Sequence, residues 1–186
     1  MTSVSDTNTR TNTSANTNAQ TSTQSTHAPS ADAPTLAREA ADAMWSTDRA
    51  SQALGMSILD VSPGQARLRM TVRADMTNGH GMCHGGYIFL LADSSFAFAC
   101  NSRNQKTVAA SAEIHFLAPA KEGDTLTAQA QEQHLGGRSG LYDVRVTDQE
   151  GRTLALFRGK SAAIPGAVIP GTDAPLPASR PTGSSA

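Results

Sequence analysis

The most constraining stretch of this chain is Tyr87 to Cys100, which reads Tyr-Ile-Phe-Leu-Leu-Ala-Asp-Ser-Ser-Phe-Ala-Phe-Ala-Cys. Its apolar residues cover nearly the whole circumference of a helix rather than one stripe, and such a helix must be buried. A bilayer span takes ~20 apolar residues, so this segment, shorter and carrying Asp93, is not one. The rest of the chain has to wrap around it. Six neighbouring segments read as strands, and two of them show the alternation of half-buried ones. Ala66, Leu68, Met70 and Val72 alternate with Gln65, Arg67, Arg69 and Thr71, and form a hairpin with Met56 to Val61 around Ser62-Pro63-Gly64. After the helix, Val108, Ala110, Ala112, Ile114 and Phe116 alternate with smaller or polar residues, which predicts one buried face. Thr125 to Gln133, Leu141 to Thr147 and Thr153 to Ser161 follow, separated by turn signals short enough for antiparallel neighbours. A short helix over Leu36 to Ala41, capped by Thr35, and another turn at Asp48 to Leu54 precede the hairpin. The fold class is therefore α+β, an antiparallel sheet around a long central helix.

The ends differ from this body. Met1 to Ser30 holds nine Thr, six Ser and four Asn, with Val4 its only large aliphatic residue after the initiator. Residues 1–35 are expected to be a disordered leader, because they bury too little to offset ordering entropy. The leader has no apolar run for secretion, and its single Arg10 and lack of an amphipathic stripe argue against an organellar address, so a cytoplasmic location is expected. From Pro165 onward, five prolines among small residues predict a loose tail over 165–186, leaving 36–164 as one folded domain. The ends explain why mean hydropathy is only -0.33 although all eight aromatic residues fall between Trp45 and Phe157. A net charge of -1 provides no field for nucleic acid or an anionic membrane surface, so neither is an expected partner. Cys83 and Cys100 are too few for a disulfide scaffold, which fits a reducing compartment.

Chemistry concentrates just before the central helix, in Asn78-Gly79-His80-Gly81-Met82-Cys83-His84-Gly85-Gly86. The first N–H groups of a helix lack intrahelical partners and carry partial positive charge, and Gly85 and Gly86 present no Cβ to hold a ligand away. The position suits an oxyanion or phosphate; a glycine-rich turn feeding the helix into a crowded core is the alternative. Asp93, amid Leu90, Leu91, Phe96 and Phe98, is expected to lose hydration and to have a raised pKa unless paired. It is either a structural acid satisfied by a backbone amide, Ser94 or Ser95, or a general base or nucleophile. Eight residues of helix separate Gly85 from Asp93 by about 12 Å, too far for one carbonyl to touch both within one chain. If both act on one atom, a second copy must bring its helix alongside, antiparallel, in a two-fold dimer with two shared sites.

Other clusters are weaker. His80, Cys83 and His84 lack a second compact ligand pair, so no metal is expected. A Cys83 thiol nucleophile oriented by its sequence neighbour His84 is disfavoured, and no Gly-x-Ser-x-Gly elbow exists. Gly136-Gly137-Arg138-Ser139-Gly140 could hold an anion through Arg138 but also makes an ordinary hairpin connection, and Arg158 with Lys160 could simply be solvated.

Taken together, Asn78-Gly79 through His84-Gly85-Gly86, then Leu91-Ala92-Asp93, Phe116-Leu117-x-Pro119 and Gly123-Asp124-Thr125-Leu126, resemble the hotdog-fold acyl-CoA thioesterases, in the phenylacetic acid degradation (PaaI) branch. The resemblance spans roughly residues 40 to 163. It implies a hydrolase of aryl- or arylacetyl-CoA thioesters that needs no cofactor or metal and assembles as dimers paired into homotetramers. It also implies roles: Gly85 as the oxyanion amide, Asn78 as a carbonyl-polarising or loop-ordering residue, Asp93 as the carboxylate, Ser111 as a water-orienting hydroxyl. His84, the motif histidine, would hold loop geometry. Apart from the resemblance, the residues themselves make His84, Gly86 and Arg138 the expected substrate contacts. Two other functions compete. A hotdog enoyl-CoA hydratase would pair its Asp with a His on one loop, which Asp93 lacks; a non-catalytic acyl-CoA binding module would have no need of a buried acid.

Overall fold

A computed structural model describes residues 32–178; most of the expected leader and the last residues of the tail lie outside them. Helix α1 spans Ala33–Trp45 and α2 Arg49–Ala53. The first helix begins earlier than Thr35 and extends beyond Ala41, because Pro34 sits in its first turn, where a missing N–H costs nothing. Asp48 caps α2 through its side chain, which accepts from the Ser51 N–H at 3.0 Å. Strands β1 (Ser57–Ser62) and β2 (Gln65–Thr71) form the first hairpin, followed by a 3-10 turn at Ala74–Met76 and helix α3, Gly85–Asn101. The remaining strands are β3 (Gln105–Phe116), β4 (Thr125–Gly136), β5 (Ser139–Thr147) and β6 (Thr153–Ala167).

All strand pairs are antiparallel, in the order β1-β2-β4-β5-β6-β3. The sheet wraps α3, as the hotdog expectation requires. Leu68, Met70, Leu126, Ala128, Val144, Val146 and Phe157 meet Leu91, Ala92, Phe96 and Ala99 of the helix in one core. Aromatic contacts tie the layers, with Phe96 ring centroids 5.4 Å from Tyr142 and 5.8 Å from Phe157. The serines inside α3 have partners of their own: Ser94 Oγ meets Ser51 Oγ at 2.9 Å, joining α3 to α2, and Ser95 Oγ donates to the Ala66 and Ala128 carbonyls at 3.1 and 3.2 Å.

Two expectations change. The alternation in β3 predicted one buried face, but most of the strand is exposed on both faces, including Val108 at 46% and Phe116 at 53%. The reason is topological: among the described residues β3 pairs only with β6 and lies at one edge of the sheet, with β1 at the other. The folded body also continues past residue 164, since β6 runs to Ala167 with Pro165 inside it. Beyond the strand, the Val168 and Ile169 N–H groups donate to the Asn104 backbone and side-chain carbonyls at 3.1 and 2.8 Å, and Asn104 Nδ2 donates to Thr172 Oγ1 at 2.9 Å. Each such bond contributes about 0.5–1.5 kcal/mol net. A chain ending at Ile164 is therefore expected to melt at least ~5 °C below one ending at Asp173, as read by calorimetry; equal melting temperatures would make the docked segment energetically idle.

Candidate active site

The loop from Asn78 to His84 is built around one side chain. Asn78 Oδ1 accepts from the His80 and Met82 N–H groups at 2.9 and 3.3 Å, while its backbone N–H donates to the Met82 carbonyl at 2.8 Å. Gly81, at φ 70°, allows the chain to turn back, and its N–H donates to the Asn78 carbonyl at 2.9 Å. Two further bonds fix the exit: Cys83 N–H to the Ala120 carbonyl at 2.9 Å, and His84 N–H to the Met76 carbonyl at 2.8 Å. The Asn78 side-chain oxygen thus ties together the backbone of this loop.

His84 then caps α3. Its Nδ1 accepts from the Gly86 N–H at 2.9 Å, so that amide is engaged by the protein's own side chain. Gly85, the first residue of the helix, is left as the amide at this end without a hydrogen-bond partner among the described residues. The two glycines named from the sequence thus divide: Gly85 keeps a free donor at the positive helix end, and Gly86 does not. The ring of Phe116 packs against Gly85, where an added Cβ would come within 2.9 Å of Cζ. Sequence reading missed Phe116 as part of this site; its alternation marked it only as core.

Asp93 is half-buried two turns along α3, and burial raises its pKa above the ordinary carboxylate value. Neither Ser94 nor Ser95 serves it, as both hydroxyls are engaged elsewhere, and the carboxylate accepts no hydrogen bond among the described residues. The structural alternative for Asp93 thus lacks the partners it needs. Leu90, Asp93 and Ala97 are only partly covered and Gly86 is exposed, so these four form one stripe of α3 that the sheet leaves open.

Ser111 lies in β3 beside a bulge, paired with exposed Lys160 of β6, and makes no hydrogen bond to Asp93 within the chain. Arg138 sits in the β4–β5 turn and donates to the Ala163 carbonyl at 3.4 Å. With Cys100 and Arg103 it lines a small cavity at the C-terminal end of α3, the opposite end from Gly85, so one chain does not bring Arg138 to the loop site. The larger concavity, about 540 Å³, lies on the polar sheet face and is lined by Glu113, His115, Gln131, Asp143 and Arg158. Asp143 and Arg158 already form an ion pair there at 2.6 Å, and neither Gly85 nor Asp93 borders it.

Burial, with the charge of Asp124, pushes the Cys83 thiol up to about 11, and burial pushes Cys100 up to about 12; neither is a thiolate near neutrality. Among the described residues, no three His, Cys, Asp or Glu side chains gather as a metal cluster would. No helix among them is long and apolar enough to cross a membrane.

A sequence pattern of the Thioesterase superfamily matches residues 80–155. The Escherichia coli acyl-coenzyme A thioesterase PaaI is 48% identical over 128 residues, which are 69% of this chain and 91% of that protein. This chain belongs to the thioesterase superfamily. The solved structure of the Escherichia coli PaaI protein, from the phenylacetic acid degradation operon, matches this superfamily member with a TM-score of 0.71 at 47% identity, covering 72% of this chain and 97% of that one. A Streptococcus mutans protein solved with acetyl CoA matches with a TM-score of 0.58 at 27% identity, over 60% of this chain and 90% of that one. The superfamily match takes in Gly85, Asp93 and Ser111, while Asn78 lies just before it.

Proposed function

We propose that this protein is an acyl-CoA thioesterase that hydrolyses aryl- or arylacetyl-CoA thioesters to the free acid and CoA. The observation that carries this reading is the 48% identity to the Escherichia coli acyl-coenzyme A thioesterase over 91% of its length. The site chemistry agrees with it. The thioester carbonyl oxygen accepts from the Gly85 N–H, whose place at the helix terminus stabilises the negative charge that develops there. Asp93 takes a proton from water as that water attacks the carbonyl carbon and the CoA thiolate leaves. Alternatively, Asp93 attacks directly, the CoA thiolate leaves, and water then hydrolyses the resulting mixed anhydride to the free acid. Ser111 orients the water, and Asn78 and His84 hold the loop. Two buried free cysteines fit a cytoplasmic enzyme.

The catalytic unit is a homodimer with shared sites, pairing into tetramers. Three features support this: the ~12 Å of helix between Gly85 and Asp93, the uncovered stripe Gly86-Leu90-Asp93-Ala97, and the long exposed edge of β3. Sedimentation is expected to find no folded monomer at micromolar concentration; a stable monomer there would end the shared-site reading. The substrate class is tested by measuring thiol release from phenylacetyl-CoA, benzoyl-CoA and straight-chain acyl-CoAs. Preference for the aromatic thioesters is expected, and failure to cleave any of them would refute the assignment.

A further inference from the structure

Phe116 ends β3 and is more than half exposed in the single chain. Its partner across β6 is Ala155, which has too little bulk to hold a ring over the sheet. The ring leans instead on Gly85, whose missing side chain makes room: an added Cβ would lie 2.9, 3.2 and 3.4 Å from Cζ, Cε1 and Cε2. Covalent geometry keeps a Cβ ~2.5 Å from its own nitrogen, so the ring edge lies within roughly 5.5 Å of the Gly85 nitrogen. An oxygen accepting from that N–H at ~2.9 Å lies within roughly 8.5 Å of the ring edge, so an acyl group attached there can reach the ring.

We infer that Phe116 is a specificity-determining residue: its ring forms the wall of the acyl subsite beside the Gly85 amide and favours planar aromatic acyl groups over alkyl chains. The inference rests on the thioesterase reading and sharpens its substrate class. An aryl group gains offset or edge-to-face contact with the ring and has little freedom to lose. A straight alkyl chain gains no such contact and must surrender several torsions to lie against the wall.

The test compares kcat/KM for phenylacetyl-CoA and hexanoyl-CoA in the parent, Phe116→Leu and Phe116→Tyr proteins. An aromatic pair is worth a factor of about 2 to 12 beyond its area. In Phe116→Leu the phenylacetyl-to-hexanoyl ratio is expected to fall by that factor, while Phe116→Tyr, which keeps the ring, stays within about 2-fold of the parent. A ring that merely props the loop would lower both rates together, and an unchanged ratio in Phe116→Leu would overturn the inference with the thioesterase reading intact. A parent protein inactive on every acyl-CoA would overturn that underlying reading instead.

Discussion

Asp93→Asn is expected to lower kcat at least ~100-fold with little change in KM, because Asn keeps the shape of the side chain but cannot take a proton or attack. The same variant has a signature in stability. Burial raises the Asp93 pKa, so the ionised form is disfavoured in the folded protein, and the parent loses stability as pH rises through the folded value. Asn is exempt from that loss. The variant is therefore expected to melt like the parent below about pH 4, where both side chains are neutral, and at or above it at pH 7. In the parent, the acidic limb of kcat/KM should have its midpoint above the ordinary carboxylate range, and the limb should vanish in Asp93→Asn. Full activity of the variant would remove Asp93 from the mechanism.

Replacing Gly85 separates the amide from the space around it. Proline is well tolerated at the first position of a helix, and His84, at φ -63° and ψ 132°, already has the extended conformation that a residue before proline adopts. Gly85→Pro thus deletes one N–H while the helix start is kept. Its Cβ crowds the Phe116 ring, and Gly85→Ala, which crowds the ring equally but retains the N–H, is the control. Gly85→Pro is expected to fall about 100- to 1000-fold below Gly85→Ala in kcat. Equal rates for the two would mean that the amide carries no transition-state charge. If the sites are shared, subunits with Gly85→Pro mixed with subunits with Asp93→Asn regain one intact site per heterodimer; verified heterodimers without activity would argue against sharing.

The central helix, six-strand sheet and loop site were legible because each rests on a local signal. All-round apolarity marked α3, period-2 alternation marked β2 and β3 as strands, and glycines beside polar residues marked the loop. Three things were not legible. The exposure of β3 depends on which strands lie beside it, and alternation reports only that a strand has two unlike faces. The docking of Val168 to Thr172 on Asn104 joins residues more than sixty positions apart, where composition suggested a loose tail. The separation of Gly85 from Gly86 depends on the rotamer of His84, which no spacing rule predicts. Phe116 follows the same logic: its side chain could be counted as core until the small Ala155 opposite it was known.

The place of β3 in the sheet also shapes how the chain must be made. Gln105–Phe116 emerges from the ribosome before β4, β5 and β6, yet among the described residues its only strand partner is the last strand, Thr153–Ala167. During synthesis it must wait as an unpaired apolar strand while two other strands are completed, and its pairing closes a long loop. A nascent chain stalled before residue 153 would therefore leave the edge of β3 that β6 covers unpaired and open to chaperones and to other nascent chains. Substitutions that slow the β5–β6 hairpin would then reduce the yield of folded protein well before they reduce the stability of the molecules that do fold.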